Sequence, residues 1–372
     1  MRKIPVNLLA PGLKIGRPVY DSQGRILLNQ GVTLTQRYIS RLKLLGIPAV
    51  YIDDGFFPDF QIDDVISEQT RVWATQQVKW LFSPSQPSAQ KKPVIALAEV
   101  AKVVERLLEE IMTNKSTVVN LTDIRSHDEY TFGHSVNVAV LAILTGINLG
   151  YSRVKLFQLG MAALLHDIGK TRIPLSILNK PGTLTADEFA EIKKHPSYGY
   201  EIISEDPALG KLCAVVALQH HERYNGKGYP KGLSGGEIHH FAGITGMVDM
   251  YDALTSDRIY RKACPAYEAY EMISGSGNLL FAFSLVRAFL DNVAAYPTGT
   301  LVKLNTGEIG VVLETKKGYS LYPKVRILFA ASGEPLLGSE EVCLAEQEGL
   351  FVSEVIEDYG ILRAAIRENE AK

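Results

Sequence analysis

The chain has 372 residues, which at roughly 150 residues per domain predicts two or three folded units. Its 39 Lys and Arg against 41 Asp and Glu give a net charge of -2, so no large positive field is present to hold duplex nucleic acid. Hydrophobic residues make up 46% of the chain and charged residues 22%, a composition typical of globular proteins and not of disordered ones.

Neither a membrane span nor a signal peptide is predicted. The longest mostly apolar stretch, Val136 to Leu149, is interrupted by Asn137, Thr145 and Asn148 and is shorter than the roughly 18 apolar residues of a span. The first five residues, MRKIP, contain no apolar run of the kind that directs secretion. We therefore expect a cytoplasmic protein without membrane insertion.

The first 55 residues have the pattern of a small α/β module. Extended stretches are predicted after Pro18 and at 26–28, with a turn at 21–24 between them. A helix is predicted after Thr33, ending at Gly46 before a strand at 50–52. A helical connector is expected over 56–115, and its Pro/Ser-rich segment at 83–88 has the composition of a loop.

Helical periodicity dominates the centre of the chain, which is predicted as an all-helical domain over 116–295. Thr185 and Glu188 have the spacing of a capping box, and Asp206-Pro207 has the pattern of a helix start. Strand-like segments at 301–304, 309–313 and 325–329 predict a short β module over 296–346. The remaining residues, 347–372, are expected to form a tail. The fold class is therefore mainly α, with a small α/β N-terminal cap and a short β C-terminal module.

Metal-ligating residue types are concentrated in the helical centre. His166-Asp167 closes an apolar helix, and neighbouring helical residues point about 100° apart, so both side chains can reach one site from the helix end. A buried carboxylate needs a cation, a charge partner or several hydrogen bonds. The other candidates are His134, His195, His220, His221 and Asp249.

Each of these pieces alone has a structural explanation. A single His-Asp is more often a helix cap than a metal site, and His195 before Pro196 is typical of a loop or helix end. Asp249 and Asp252, at i and i+3, usually mark a solvated helix face, although the surrounding apolar residues favour a buried helix here. Their joint occurrence in this order favours a metal site.

Five motifs in this order resemble the HD-GYP phosphodiesterases of the HD metal-dependent phosphohydrolase superfamily. They are Tyr130-Thr131-Phe132-Gly133-His134-Ser135, His166-Asp167-Ile168-Gly169-Lys170, Lys194-His195-Pro196, the run from His220-His221-Glu222 to Gly228-Tyr229-Pro230, and the run from Asp249 to Arg258. The resemblance covers roughly residues 118 to 293.

The resemblance implies a two-metal site in which Asp167 bridges the ions. The implied ligands are His134, His166, Asp167, His195, His220, His221 and Asp249. This nitrogen and oxygen set, without a thiolate, suits iron, manganese, cobalt, nickel or zinc, and family similarity favours iron or manganese. Tyr130 stands where some relatives carry a glutamate ligand for a further metal, which favours a dinuclear site.

The resemblance also implies the catalytic and substrate-binding residues. His166, Asp167 and Lys170 are the expected catalytic residues, with the Lys170 ammonium holding a phosphate oxygen. The expected substrate-binding residues are Lys170, Gly228, Tyr229, Pro230, Asp252, Arg258 and Arg261. Asp252 is a better candidate for orienting a metal ligand or an arginine than for binding metal itself.

The implied function is hydrolysis of cyclic di-GMP through a metal-activated hydroxide, to give pGpG and, more slowly, GMP. Two alternatives stay open: a cyclic dinucleotide sensor without turnover, and a phosphohydrolase acting on another nucleotide, such as cyclic GMP-AMP. The flanking modules carry no chemistry of their own and are expected to serve packing, homodimer contacts or docking of a protein partner.

Overall fold

The structure is a computed structural model that describes residues 2–21, 25–47, 49–53, 64–82, 97–114, 118–119, 130–206, 210–256, 263–336 and 340–356. These residues form a mainly helical protein with a small β-containing module at each end, which confirms the predicted fold class. None of the helices described is both long and apolar enough to cross a membrane. The Pro/Ser-rich segment at 83–88 lies outside the described residues.

The N-terminal module has its own small core. Its elements are β1 Arg2–Pro5, β2 Lys14–Ile15, β3 Val19–Tyr20, β4 Ile26–Leu28, α1 Gln36–Leu44 and β5 Ala49–Asp53. An antiparallel sheet has the order β1-β5-β2, and β3 pairs with β4, the two strands that lie at the predicted extended stretches. The helix begins later than expected, because Thr33 pairs with Lys14 in a β-bridge and Thr35 provides the N-cap.

The central helices surround one large apolar core. They are α2 Glu68–Leu81, α3 Leu97–Thr113, α4 Tyr130–Asn148, α5 Arg153–Leu165, α6 Leu175–Leu178, α7 Ala186–Ile192, α8 His195–Ser204, α9 Gly210–Gln219, α10 His240–Thr255, α11 Ala266–Ser274 and α12 Phe283–Leu290. Buried residues of α2 and α3, such as Val78 and Leu107, belong to the same core as those of α4 and α5. The two described helices of the predicted connector are therefore packed on the site-bearing helices.

Capping chemistry sets the start of α7. The Thr185 side chain accepts a hydrogen bond from the Glu188 amide, and the Glu188 carboxylate accepts one from the Thr185 amide, so the predicted capping box is confirmed. The predicted helix start at Asp206-Pro207 includes Pro207, which lies outside the described residues.

The C-terminal module is an antiparallel sheet of five strands in the order β10-β6-β7-β8-β9. Its strands are β6 Leu301–Leu304, β7 Ile309–Glu314, β8 Lys324–Phe329, β9 Glu341–Cys343 and β10 Val352–Val355. The first three strands lie where alternation predicted them. Strand β10 falls in the segment 347–372 that was expected to be a tail, and it pairs with β6, so the sheet extends to Val355.

Candidate metal centre

Five separate parts of the helical domain bring histidines and aspartates together. His134 lies on α4, His166 and Asp167 follow the last residue of α5, His195 is the first residue of α8, His220 and His221 follow α9, and Asp249 and Asp252 lie on α10. Within this group, ligand atoms of His195, His220 and His221 lie within 4.8 Å of one another. The same limit holds for His134, His166 and Asp167. The structure thus contains two clusters that could each hold a metal ion.

Backbone carbonyls orient three of the imidazoles. The Nδ1 atoms of His166, His195 and His220 lie 2.7, 2.7 and 2.8 Å from the carbonyl oxygen of the third residue before each histidine. Because a carbonyl oxygen can only accept, each Nδ1 carries a hydrogen, and Nε2 is the ring nitrogen that faces the site. This is the tautomer that a metal ligand needs.

His195 and His220 face each other through these Nε2 atoms, which are 3.2 Å apart. Burial lowers the pKa of His195 to about 4, and it lowers the pKa of His220 well below the usual value. Burial also lowers the pKa of His221 to about 3. Both facing nitrogens therefore carry lone pairs at neutral pH, an arrangement that a cation between them would stabilise.

Asp167 lies between the two clusters. Its Oδ2 is 3.3 Å from His166 Nε2 and 3.7 Å from His134 Nε2, whereas its Oδ1 is 3.3 Å from His195 Nε2 and 3.8 Å from His220 Nε2. Each oxygen thus faces a different pair of histidines. Burial alone would raise the pKa of Asp167, but His166 and Lys170 hold it well below the usual value, so the carboxylate is ionised.

Two polar atoms show that the cluster fits a cation. His166 Nε2 and Asp167 Oδ1 are fully buried, and neither makes a hydrogen bond within the described part of the chain. Burying an acceptor without a partner is costly, and metal coordination would satisfy both atoms. The donor set is also suitable, since imidazole nitrogens and carboxylate oxygens bind first-row divalent metals.

His134 is held by two carboxylates of α10. Its Nε2 lies 3.0 Å from Asp249 Oδ1, and its Nδ1 lies 2.6 Å from Asp252 Oδ2. Burial lowers the pKa of His134, but the hydrogen bonds that its ring donates to Asp249 and Asp252 outweigh this effect and raise that pKa to about 9. Asp252 is buried and also accepts a hydrogen bond from Asn137 Nδ2 at 2.9 Å, so the geometry favours its role in orienting His134. Its assignment to substrate binding stays a prediction.

Two glycines allow the site-bearing segments to approach closely. A Cβ atom on Gly169 would lie 1.9 Å from the carbonyl oxygen of His195, and one on Gly246 would lie 2.1 Å from that of His220. Only glycine fits such backbone contacts. Gly169 belongs to the HD motif segment, whereas Gly246 was not singled out from the sequence.

The loop after His221 packs against the histidine cluster through Tyr229. The Tyr229 ring stacks on the His221 ring with centroids 4.7 Å apart, and the Tyr229-Pro230 peptide is cis. A Cβ on Gly228 would lie 2.4 Å from backbone atoms of Glu222 and Arg223, so this position also requires glycine. The loop thus places Tyr229 against a candidate ligand.

Glu222 anchors this loop through two hydrogen bonds. Its buried carboxylate accepts hydrogen bonds from the amides of Lys231, at 2.7 Å, and Leu233, at 2.9 Å. The motif contained Glu222, but nothing in its spacing indicated these amide partners. The carboxylate ties the far side of the loop to the segment that carries His220 and His221.

The remaining predicted site residues are only partly described. Lys170 lies on the short 3-10 helix Ile168–Arg172, and its ammonium donates to Asp167 Oδ2. Arg258 and Arg261 lie outside the described residues, as does the side chain of Tyr130. Their predicted roles stay predictions.

Comparison with known families agrees with this geometry. A model of the HD domain matches residues 118–280, and a model described as a KOW domain associated with an HD domain matches 301–363. The first of these ranges contains every one of the seven candidate ligands.

Residues 118–280 match the HD domain, which confirms the HD superfamily predicted from the motifs. The sheet described above corresponds to the KOW match. HD phosphohydrolases depend on metals, which agrees with the two clusters.

Three curated proteins similar to this chain are named as cyclic dinucleotide phosphodiesterases. A cyclic di-GMP phosphodiesterase of Pseudomonas aeruginosa is 37% identical over 243 residues, which are 65% of this chain and 58% of the relative. A cyclic di-GMP phosphodiesterase of Thermotoga maritima is 34% identical over 212 residues, or 56% of this chain and 57% of the relative. A 3'3'-cGAMP-specific phosphodiesterase of Vibrio cholerae is 40% identical over 140 residues, or 38% of this chain and 30% of the relative. The chain thus spans little more than half the length of the first two relatives.

Proposed function

We propose that this protein is a metal-dependent phosphodiesterase that hydrolyses cyclic di-GMP. The observation that carries the proposal is the position of Asp167, whose two oxygens each face a different pair of histidines. One ion would be held by His134, His166 and Asp249. The other would be held by His195, His220 and His221, and Asp167 would contribute one oxygen to each ion. The nitrogen and oxygen ligands suit several first-row divalent metals, and the resemblance to the HD-GYP family favours iron or manganese.

The chain's own residues position the reacting groups. When bound, the two ions would lower the pKa of a water molecule and neutralise charge that develops on the phosphate. Lys170 is only partly buried, so its ammonium can leave Asp167 for a phosphate oxygen once the carboxylate is shared by cations. Tyr229, held against His221 by the loop, is placed to contact the nucleotide. Water adds across one P–O bond, which opens the cyclic dinucleotide to linear pGpG; a second hydrolysis gives GMP.

The substrate assignment is supported by the relatives' names and by the loop. Both relatives with the longest matched regions described above are named for cyclic di-GMP. The Vibrio cholerae relative supports a second candidate, 3'3'-cGAMP, which differs from cyclic di-GMP in one base. A sensor that binds without turnover does not require the complete ligand set together with Lys170. A nucleotide substrate also agrees with the expected cytoplasmic location.

The proposal is tested by incubating the metal-loaded protein with cyclic di-GMP, 3'3'-cGAMP and a mononucleotide ester, with products separated by chromatography. We expect pGpG from cyclic di-GMP at the highest kcat/KM, and no turnover by Asp167→Asn. Hydrolysis of 3'3'-cGAMP alone would support the second candidate. Binding of cyclic di-GMP without any hydrolysis would overturn the enzyme assignment in favour of a sensor.

A further inference from the structure

A buried chain of hydrogen bonds leads from α2 to the candidate ligand His134. Arg71 on α2 donates from a terminal guanidinium nitrogen to Asn137 Oδ1 at 2.7 Å. Asn137 Nδ2 donates to Asp252 Oδ1 at 2.9 Å, and Asp252 Oδ2 lies 2.6 Å from His134 Nδ1. Four side chains from three helices therefore form one continuous path to the metal centre.

The donor and acceptor capacities of these groups determine the orientation of each side chain along the path. A guanidinium can only donate, so Asn137 must turn its oxygen towards Arg71 and its NH2 group towards Asp252. The Asp252 oxygens act as acceptors in this path, so the 2.6 Å contact places a hydrogen on His134 Nδ1. His134 Nε2 is then the ring nitrogen that is left to face Asp249 and Asp167.

Burial makes the direction energetically important. Arg71 is 8% exposed, Asn137 2% and Asp252 1%, so an inverted or missing partner would leave a polar group unsatisfied in the core. The charge of Arg71 is balanced on its other side by Asp64, whose Oδ2 lies 2.9 Å from the guanidinium, and by Glu68 at 3.9 Å. The guanidinium is thus held by Asn137 on one side and by the carboxylates of Asp64 and Glu68 on the other.

We infer that Arg71 is a positioning residue for the metal centre, acting through Asn137 and Asp252 to hold His134 with Nε2 directed at the ion. Residues that orient a ligating histidine typically change metal affinity or activity by about 10- to 100-fold when they are replaced. The inference rests on the proposed metal site. It assigns a role in that site to α2, which lies outside residues 118–280 matched by the HD domain model.

The experiment measures the affinity of the metal-free full-length chain for Mn²⁺, with free Mn²⁺ followed by electron paramagnetic resonance. Arg71→Met removes the donors and keeps most of the side-chain volume, and we expect it to weaken Mn²⁺ binding about tenfold. Arg71→Lys keeps one cationic donor and is expected to recover part of the affinity.

Arg106→Met is the matched control. Arg106 lies on α3, stacks over the Trp73 ring at 4.5 Å and donates to Thr70 Oγ1 at 3.1 Å, so it packs on the same helix α2 without touching the path to His134. It should lower the melting temperature and leave Mn²⁺ affinity unchanged. An equal loss of affinity in Arg106→Met would show that packing of α2, and not the hydrogen-bond path, is responsible.

A double-mutant comparison keeps the inference testable if Arg71→Met is unstable. Asn137→Leu breaks the path at its middle, so Arg71→Lys should have no further effect on Mn²⁺ affinity in the Asn137→Leu background. Independent, additive losses would overturn the inference, as would parental affinity in Arg71→Met. Failure of the parent chain to bind Mn²⁺ would instead overturn the proposed metal site, so the two failures are distinct.

Discussion

At the scale of single residues, the electrostatics of His134 differ from those of the other candidate ligands. His195, His220 and His221 are kept neutral by burial, whereas His134 lies between Asp249 and Asp252, and its pKa is raised to about 9. In the metal-free protein the two carboxylates hold a proton on this ring. A metal ion would replace that proton as the positive charge beside Asp249.

This difference predicts that Mn²⁺ binding becomes tighter as the pH rises. Between pH 6.5 and 9 His134 carries a proton that a cation must displace, so affinity should increase by up to about tenfold per pH unit and level off above pH 9. Because Asp252 raises this pKa, Asp252→Asn should move the plateau to lower pH. Titration of the metal-free chain from pH 6.5 to 9.5 measures both effects, and an affinity independent of pH would contradict the assignment of His134 as a ligand.

Glu222 provides a prediction about substrate binding. Glu222→Gln leaves one acceptor oxygen and turns an NH2 group towards an amide donor, so one of the two loop bonds is lost at a cost of about 1.5–3 kcal/mol. We expect a higher KM for cyclic di-GMP with a smaller change in kcat. Glu237→Gln, the same change at an exposed carboxylate that accepts from Ser234, is the control and should leave KM unchanged. An unaltered KM in Glu222→Gln would show that the loop does not need this anchor.

The sequence revealed the candidate ligands because each lies in a short motif, such as His166-Asp167 or His220-His221-Glu222. It did not reveal the groups that orient them. Arg71 is 66 positions from Asn137, and Asn137 is 115 positions from Asp252, so no local spacing connects them. The nearly continuous run of apolar residues around Asn137 is typical of a buried helix, and only the folded structure shows which polar partner Asn137 meets.

At the scale of helices, close backbone approach sets the geometry of the site. Gly246 on α10 lies against the carbonyl of His220, three residues before Asp249. Helix α10 therefore brings both of its carboxylates to the histidines only because position 246 has no side chain.

Gly246→Ala should consequently force α10 away from His220. Overpacking of this kind costs about 1–3 kcal/mol, and it should weaken Mn²⁺ binding as well, since Asp249 moves with the helix. Gly236→Ala is the matched control, because its Cβ would meet nothing within 4 Å. Urea unfolding and Mn²⁺ titration of both variants measure the two effects. Equal stability of the two variants would contradict the described packing.

Elements with a strong local signal were predicted well, and those that depend on distant partners were not. The capping residues of α7 and the alternation in β8 placed these elements correctly. Strand β2 has only two residues and exists because β5 pairs with it, and β10 is a short edge strand beside β6. Such strands are defined by their neighbours and have little pattern of their own.

At the scale of the whole molecule, the buried ligand clusters link metal binding to folding. Ions that bind only the folded chain should stabilise it by about 4 kcal/mol when the free metal concentration is a thousand times Kd. We expect Mn²⁺ to raise the melting temperature by several degrees, and EDTA to reverse the change. Calorimetry of the parent and of Asp167→Asn measures this, and an identical rise in the variant would mean that the stabilising ions bind elsewhere.

The proposed role of Asp167 is to join the two histidine clusters into one dinuclear centre. It is tested most directly by elemental analysis of anaerobically purified chain, with the parent and Asp167→Asn prepared together and their folding checked by circular dichroism. We expect two iron or manganese ions per parent chain and a content below one in the variant. A parent chain without bound metal, or a folded variant that retains both ions, would contradict it.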